Sequence, residues 1–413
     1  MLKNTFKILG LVSGLSLAAG PAVAEVSPET AYVFNTFLFL VCGFLVMFMA
    51  AGFAMLESGM VRSKNVATIC LKNISLFSIA GLMYWLVGYN LMYGIEEGGY
   101  IGELFSIWSA DDSAIAGEAP DFSGGYAAGS DWYFQMVFCA TTASIVSGTI
   151  AERMKLWPFL IFTLFLTGFI YPIVGSWEWG TGWLDAMGFS DFAGSTLVHS
   201  TGGWAALAGA IVLGARAGKY GPNGEVTPIP GSSMPLATLG TFVLWLGWFG
   251  FNGGSQLALG SGADAAAISN IFINTNMAAA AGVVAAMIAS NALYGKIDLT
   301  MALNGAIGGL VSITAEPLTP SIPAAAFIGA VGGVLVVLAV PLLDKMKVDD
   351  VVGAIPAHLV CGIWGTMIVP LTNNDASYGV QGIGVISVGI FTMVASGILW
   401  SALKATIGIR VED

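Results

Sequence analysis

Eleven stretches of about twenty apolar residues, joined by connections rich in Gly, Pro and charge, leave this chain little choice of solvent. They begin near Ala31, Val66, Trp132, Leu156, Phe192, Met234, Ala265, Leu299, Ala324, Val351 and Val380. A helix of about twenty residues is about 30 Å long, the thickness of a bilayer's hydrocarbon core. Over 413 residues the chain is 56% apolar and 9% charged. A water-facing surface would need about a quarter charged residues, so lipid is the solvent and a single all-α polytopic membrane domain, residues 25–413, is expected.

Residues 1–24 read as a signal peptide. Lys3 and Lys7 precede an apolar run from Ile8 to Ala19, and Ala22-Val23-Ala24 forms an A-x-A cleavage site before Glu25. The mature chain is then expected to begin near Glu25, outside the cytoplasm, in a bacterial inner membrane; an uncleaved first span is the rival reading.

The basic residues test the number of spans. With the mature N-terminus outside, the cytoplasmic connections should hold Arg62, Lys64, Arg153, Lys155, Arg216, Lys219, Lys296, Lys345, Lys347, Lys404 and Arg410, and they do. The opposite connections carry Glu96, Glu97, Glu103, Asp111, Asp112, Glu118, Asp121, Asp131, Glu178, Asp185, Asp191, Asp264, Glu316 and Asp375 without a Lys or Arg. This is the positive-inside pattern, and a miscounted span would invert it from the error onward. The topology expected is eleven spans, N-terminus out and C-terminus in. Lys72, early in the second span, is expected to snorkel to the interface.

The net charge of -11 follows from those acidic connections and reads as a solvated face. No basic, aromatic-interleaved patch suits nucleic acid. Cys42, Cys70, Cys139 and Cys361 all fall in apolar stretches without metal-ligand spacing and read as small core residues; no cofactor or metal is expected. Asp191 and Glu57 read as isolated acids, so hydrolytic catalysis is not expected. The 55 glycines favour close helix packing, with a narrow pore and no wide vestibule.

Only two histidines occur, His199 and His358, each about eight residues inside the fifth and tenth spans. At 1.5 Å per residue both lie about 12 Å deep, near the bilayer centre, where a polar ring marks a pathway or ligand site. The two spans run in opposite directions. That is the relation of an inverted repeat, spans 1–5 against 6–10, with a peripheral eleventh helix and a site at the interface of the halves. Each histidine is followed four residues later by a glycine, Gly203 and Gly362. The bland reading, two histidines that merely tie helices together, is weakened by their matching positions.

At these residues the sequence resembles the ammonium transporter (Amt/Mep/Rh) family, bacterial Amt type. Asp191-Phe192-Ala193-Gly194-Ser195-Thr196-Leu197-Val198-His199-Ser200-Thr201-Gly202-Gly203 is similar to its signature, and Ile355-Pro356-Ala357-His358-Leu359-Val360-Cys361-Gly362-Ile363-Trp364-Gly365 resembles its second histidine segment. The likeness continues through residues 51–65, Ala151-Glu152-Arg153-Met154, Gly247-Trp248-Phe249-Gly250-Phe251-Asn252 and Phe272-Ile273-Asn274-Thr275. The resemblance implies that Trp179 and Ser255 form an outer recruitment site for ammonium, that Phe138 and Phe251 close the mouth as a stacked pair, and that His199 and His358 line the pore. It further implies a structural or electrostatic role for Asp191 and a homotrimer with one pore per subunit. Without it, Trp177 and Trp179 would read as an aromatic belt, Phe138 and Phe251 as core, and Ser255 as a helix-end hydroxyl. Family members commonly continue into a cytoplasmic tail that contacts neighbouring subunits and a PII-type regulator. The sequence ends at Arg410-Val411-Glu412-Asp413, which leaves PII control open.

The residue types suit the implied chemistry. An indole face attracts a desolvated cation by about 2 kcal/mol, and a serine oxygen accepts an N–H bond. An intact cation in a dry pore costs many kcal/mol, whereas ammonia that has given up its proton does not. Two adjacent imidazoles accept and donate at opposite nitrogens and can relay that proton. Three rivals share the topology: a proton-coupled carrier for another small cation, a haem protein with two histidine ligands, and an ammonium sensor. The acidic, Gly-rich connection from Glu96 to Asp131 is either a surface cap or a source of modest cation enrichment at the entrance.

Overall fold

The computed structural model describes residues 26–110 and 113–412. The proposed signal peptide, Asp111 and Asp112 lie outside them. Among the described residues eight helices are long and apolar enough to cross a membrane; two shorter apolar helices (Leu299–Thr314 and Ile355–Leu371) and one hydroxyl-rich helix (Ala128–Thr149) join them, and together they match the eleven expected spans. They are α1 (Pro28–Met60), α2 (Ser63–Tyr93), α3 (Ala128–Thr149), α4 (Leu156–Ser176), α5 (Ser195–Leu213), α6 (Met234–Gly254), α7 (Gly262–Tyr294), α8 (Leu299–Thr314), α9 (Ile322–Lys345), α10 (Ile355–Leu371) and α11 (Tyr378–Thr406). Each begins within a few residues of the position expected from sequence.

Local chemistry fixes several starts. Ser27, Ser233, Ser261, Ser321 and Ser377 stand at N-caps, their Oγ accepting a backbone N–H from the first turn, and Asp298 does the same for α8. α1 and α7 each run 33 residues, longer than the expected twenty. At 1.5 Å per residue they project well beyond a hydrocarbon core.

Hydropathy weakens where a helix meets no lipid. α3 carries Ser, Thr and Gln along its length, and from Phe134 to Thr149 every residue is buried. Its hydroxyls are satisfied by the preceding turn, as in Thr141 to the Val137 carbonyl at 2.8 Å and Ser144 to the Ala140 carbonyl at 3.1 Å. Around it, α1 packs along α6, α3 against α1 and α5, and α7, α8 and α9 form a second group. α11 lies at the edge, against α5, α10 and α4.

The basic connections converge at one end of the bundle. Arg62 Nε lies 3.1 Å from Glu152, Arg216 Nη1 lies 2.9 Å from Glu152, and Arg216 Nε lies 2.9 Å from Asp349. Burial alone would raise the Glu152 carboxyl, but donors from Arg62, Arg216 and Asn65 bring it down to about 2. The chain's end is tied into the same cluster: Lys155 donates to the Ile409 carbonyl at 2.8 Å and Val411 to that of Arg153 at 2.9 Å. We call this end the basic face and the opposite one the acidic face.

Three expectations are corrected. Lys72 does not snorkel: it is 1% exposed, its Nζ donating to the Ser147 carbonyl at 2.7 Å above the Phe159 ring, because α2 turns this residue toward α3 and α4. Cys42, Cys139 and Cys361 are buried, but Cys70 is exposed, since the lipid-facing side of a membrane helix is as apolar as its core. Trp177 is no belt residue; it is buried and donates to the Tyr100 carbonyl at 2.9 Å.

Candidate functional site

On the acidic face, Trp179, Ser255 and Phe138 line one cavity of about 570 Å³. The bundle therefore has a vestibule here, against expectation. Helix ends of α1, α2 and α3 build it together with the loop segments that carry Glu178, Trp179 and Asp185. Asp131, Glu178 and Asp185 share its wall with Tyr89 and Tyr126, so anionic and aromatic surfaces face the same space. Tyr89 donates a short hydrogen bond to Asp131. The Glu96–Asp131 connection is part of this entrance. Gly98 N–H bonds the Thr181 carbonyl at 2.9 Å and Trp183 N–H bonds that of Gly99 at 3.0 Å, pinning the connection against the turn that carries Trp179.

The sequence-derived residues follow one another inward from this cavity. Ser255 donates to the Phe251 carbonyl at 2.9 Å, which leaves its oxygen lone pairs free to accept. Trp179 Nε1 donates to the Asp191 carbonyl at 3.1 Å, fixing the indole plane. Behind it the aromatic rings form a column. Phe138 meets Trp179 edge-on at 6.1 Å, and Phe138 and Phe251 stack at 4.0 Å. Phe251 stacks on His199 at 5.2 Å, and His199 on His358 at 5.2 Å.

The histidines meet through Nδ1 atoms 3.2 Å apart. At that distance one nitrogen must donate and the other accept, so the two rings hold complementary tautomers and present one Nε2 acceptor and one Nε2–H donor. His199 Nε2 is buried and has no hydrogen-bond partner among the described residues. Trp248, which the sequence reading did not single out, covers the His199 face at 4.9 Å and is anchored by its Nε1 to Thr314 Oγ1 at 2.8 Å.

Matching backbone devices hold the two rings. His199 lies in a π-helical turn, Ser195–Ser200, and His358 in another, Ile355–Val360. The wider turn is a local irregularity that commonly marks functional sites in helices. Eight residues before each histidine stands an aspartate, and three after each aspartate a glycine with positive φ: Asp191 with Gly194 (107°), Asp350 with Gly353 (79°). A side chain at such φ would be strained. Asp191 accepts from the backbone N–H groups of Gly194, Ser195, Thr196 and Leu197 at 2.7–3.1 Å. Asp350 accepts from Gly353 at 3.2 Å, Ile355 at 2.7 Å and Thr149 Oγ1 at 3.1 Å. Asp191, read from sequence as an isolated acid, is thus held by its own loop and lies against Glu178. Burial lifts the Asp191 carboxyl to about 6, against the lowering effect of its four backbone donors. Burial and the neighbouring Asp191 likewise raise Glu178, whose Oε1 accepts the Asp191 N–H at 2.7 Å.

The glycines four residues past each histidine serve the opposite half. A Cβ on Gly203 would lie 2.6 Å from Leu359 Cβ, next to His358, and one on Gly362 would collide with the Ser195 carbonyl. The spacing Asp-x2-Gly-x4-His-x3-Gly, present twice in the sequence, is thus one unit used from both sides of the membrane plane. It was available to find Asp350 and Gly353.

Comparison with known proteins agrees with this architecture. The sequence profile of the Ammonium Transporter Family matches residues 37–413. Ammonium transporter Amt2 of Archaeoglobus fulgidus is 43% identical over 350 residues, 82% of this chain and 71% of that one. A putative ammonium transporter of Synechocystis is 40% identical over 100% of this chain and 94% of its own. Among solved structures, one named Sensor Amt Protein superposes with a TM-score of 0.86 at 36% identity, covering 94% of this chain and 96% of that one. Candida albicans Mep2 follows with a TM-score of 0.82 at 26% identity, covering 94% and 88%. The chain belongs to the Ammonium Transporter Family and is a transport protein rather than an enzyme.

Proposed function

We propose that this protein moves ammonium from the acidic to the basic face, recruiting it at Trp179 and Ser255, removing its proton behind the Phe138–Phe251 pair, and conducting ammonia past His199 and His358. The observation that carries the reading is the Nδ1–Nδ1 contact of 3.2 Å at the end of an unbroken column of rings.

At the mouth, the indole face and the Ser255 oxygen replace water around a cation with four N–H donors. Potassium gains nothing directional there. The acids of the vestibule raise the local cation concentration within a Debye length of about 8 Å at physiological salt. The phenyl pair excludes water, so crossing it as a cation carries a heavy desolvation cost and losing the proton first removes most of it. The paired imidazoles offer one acceptor and one donor to the passing ammonia and can carry a proton between them. In this reading residues 1–24 are a cleaved signal peptide, the acidic face lies outside a bacterial inner membrane, and three copies assemble with one pore each.

The test is an ammonium pulse across proteoliposomes holding the purified protein, with potassium and methylammonium pulses as controls. An ammonium-selective current, or internal alkalinisation by ammonia faster than in empty liposomes, supports the reading. Neither signal, or an equal response to potassium, contradicts it.

A further inference from the structure

On the other side of the histidine pair from the vestibule lies a cavity of about 10 Å³, about the room one water molecule needs. His358 lines it from α10, Phe53 and Glu57 from α1, Ser144 and Gly148 from α3, and Asn304 from α8. Glu57 lies near the end of α1, on the basic side of His358, and is 1% exposed.

Its two carboxylate oxygens are treated differently. Oε2 accepts from Ser147 Oγ at 2.7 Å and from Asn73 Nδ2 at 3.3 Å. Oε1 is buried and has no hydrogen-bond partner among the described residues. Lys72 bonds the carbonyl of that same Ser147 at 2.7 Å, bringing a cation to the back of the carboxylate. A purely structural acid in a dry helix bundle would have both oxygens satisfied, because an unpaired buried acceptor costs about 1–3 kcal/mol. One oxygen held from behind and the other unpartnered, on a residue that lines the same cavity as His358, is the arrangement of a group that takes up and releases a proton. A water-sized space between the two can bridge them.

We propose that Glu57 is the proton-exchange group on the basic side of the histidine pair, an inference that rests on the transport reading above. The proton removed from ammonium passes across the imidazoles; an N–H bond on the imidazole side breaks as an O–H bond forms on Glu57, through one water in the cavity they share. That O–H bond then breaks as ammonia or water on the basic side gains the proton, and Glu57 returns to the carboxylate. No electron is transferred, and one positive charge crosses for each ammonia. Asn73 and Ser147 are positioning residues that hold Oε2, and Lys72 holds Ser147 in turn.

The experiment compares wild type, Glu57→Gln and Glu57→Asp in proteoliposomes, reading the ammonium-evoked current and ammonia-driven alkalinisation together. The quantity of interest is charge moved per ammonia. It should fall at least about a hundredfold in Glu57→Gln, the lower range for loss of a positioned acid–base group, and recover substantially in Glu57→Asp. An unchanged ratio in Glu57→Gln overturns the proposal. So does an equal loss in both variants, which would mark Glu57 as structural. Wild type that conducts ammonia without current overturns the proton step alone, whereas wild type with neither signal overturns the transport reading itself.

Discussion

The two sides of the histidine pair solve opposite problems. On the acidic side, a cavity of about 570 Å³ is walled by aromatic rings, hydroxyls and acids and opens where loops meet the helix ends. On the basic side, a space of about 10 Å³ is walled mainly by aliphatic residues, with one phenylalanine, His358 and one half-satisfied carboxylate. In the proposed mechanism the first receives the hydrated cation and the second passes a small neutral molecule and a proton. Their shared frame, an aspartate, a positive-φ glycine, a π turn and a histidine, shows that the asymmetry lies in what surrounds the two segments.

The largest expected effect probes that frame. Asp191→Ala would leave four buried backbone N–H groups without an acceptor, at about 1–3 kcal/mol each, enough to exceed the stability of many proteins. Asp350→Ala strips two backbone groups and one hydroxyl, so thermal unfolding in detergent should show a somewhat larger loss for the first. Equal losses would break the distinction between the two segments. Next, Gly203→Val and Gly362→Val should each reduce transport severely by forcing the crossing helices apart, since overpacking a tight contact costs about 1–3 kcal/mol. Full activity in either would mean that the close approach is not needed.

Smaller effects belong to the mouth. Trp179→Ala should weaken apparent ammonium affinity about thirtyfold, the equivalent of about 2 kcal/mol of cation–π attraction, with little change in maximal rate. Ser255→Ala should cost about fivefold, as for one hydrogen bond of about 1 kcal/mol. Concentration dependence of the current measures both, and a drop in maximal rate without an affinity change would move these residues from recruitment to conduction.

Much of the fold was legible because lipid permits few structures. Span positions followed from apolar runs and from the placement of Lys and Arg, and even α3 was found despite its hydroxyls. What could not be read was burial within the bundle. Lys72 looked like an interfacial residue because sequence does not say which way α2 faces. Cys70 looked like core for the same reason. At the site, the family resemblance supplied Trp179, Ser255, Phe138 and Phe251, which now line one cavity and one column of rings. Trp248 was missed and Asp131 was read only as part of the acidic connection, since an aromatic or an acid near a helix carries no mark of its partner until the helices cross. Asp350 was missed for want of comparing the two histidine segments over a longer stretch. The repeated spacing was in plain view.

The central claim is that His199 and His358 act as one proton-handling unit. Its most direct test is the ratio of ammonium to potassium current in His199→Ala, His358→Ala and the double variant, each in proteoliposomes. If the pair works as a unit, either single substitution should degrade the ratio about as much as both together, as expected of strongly coupled residues. Two single variants with the wild-type ratio and rate would contradict the account.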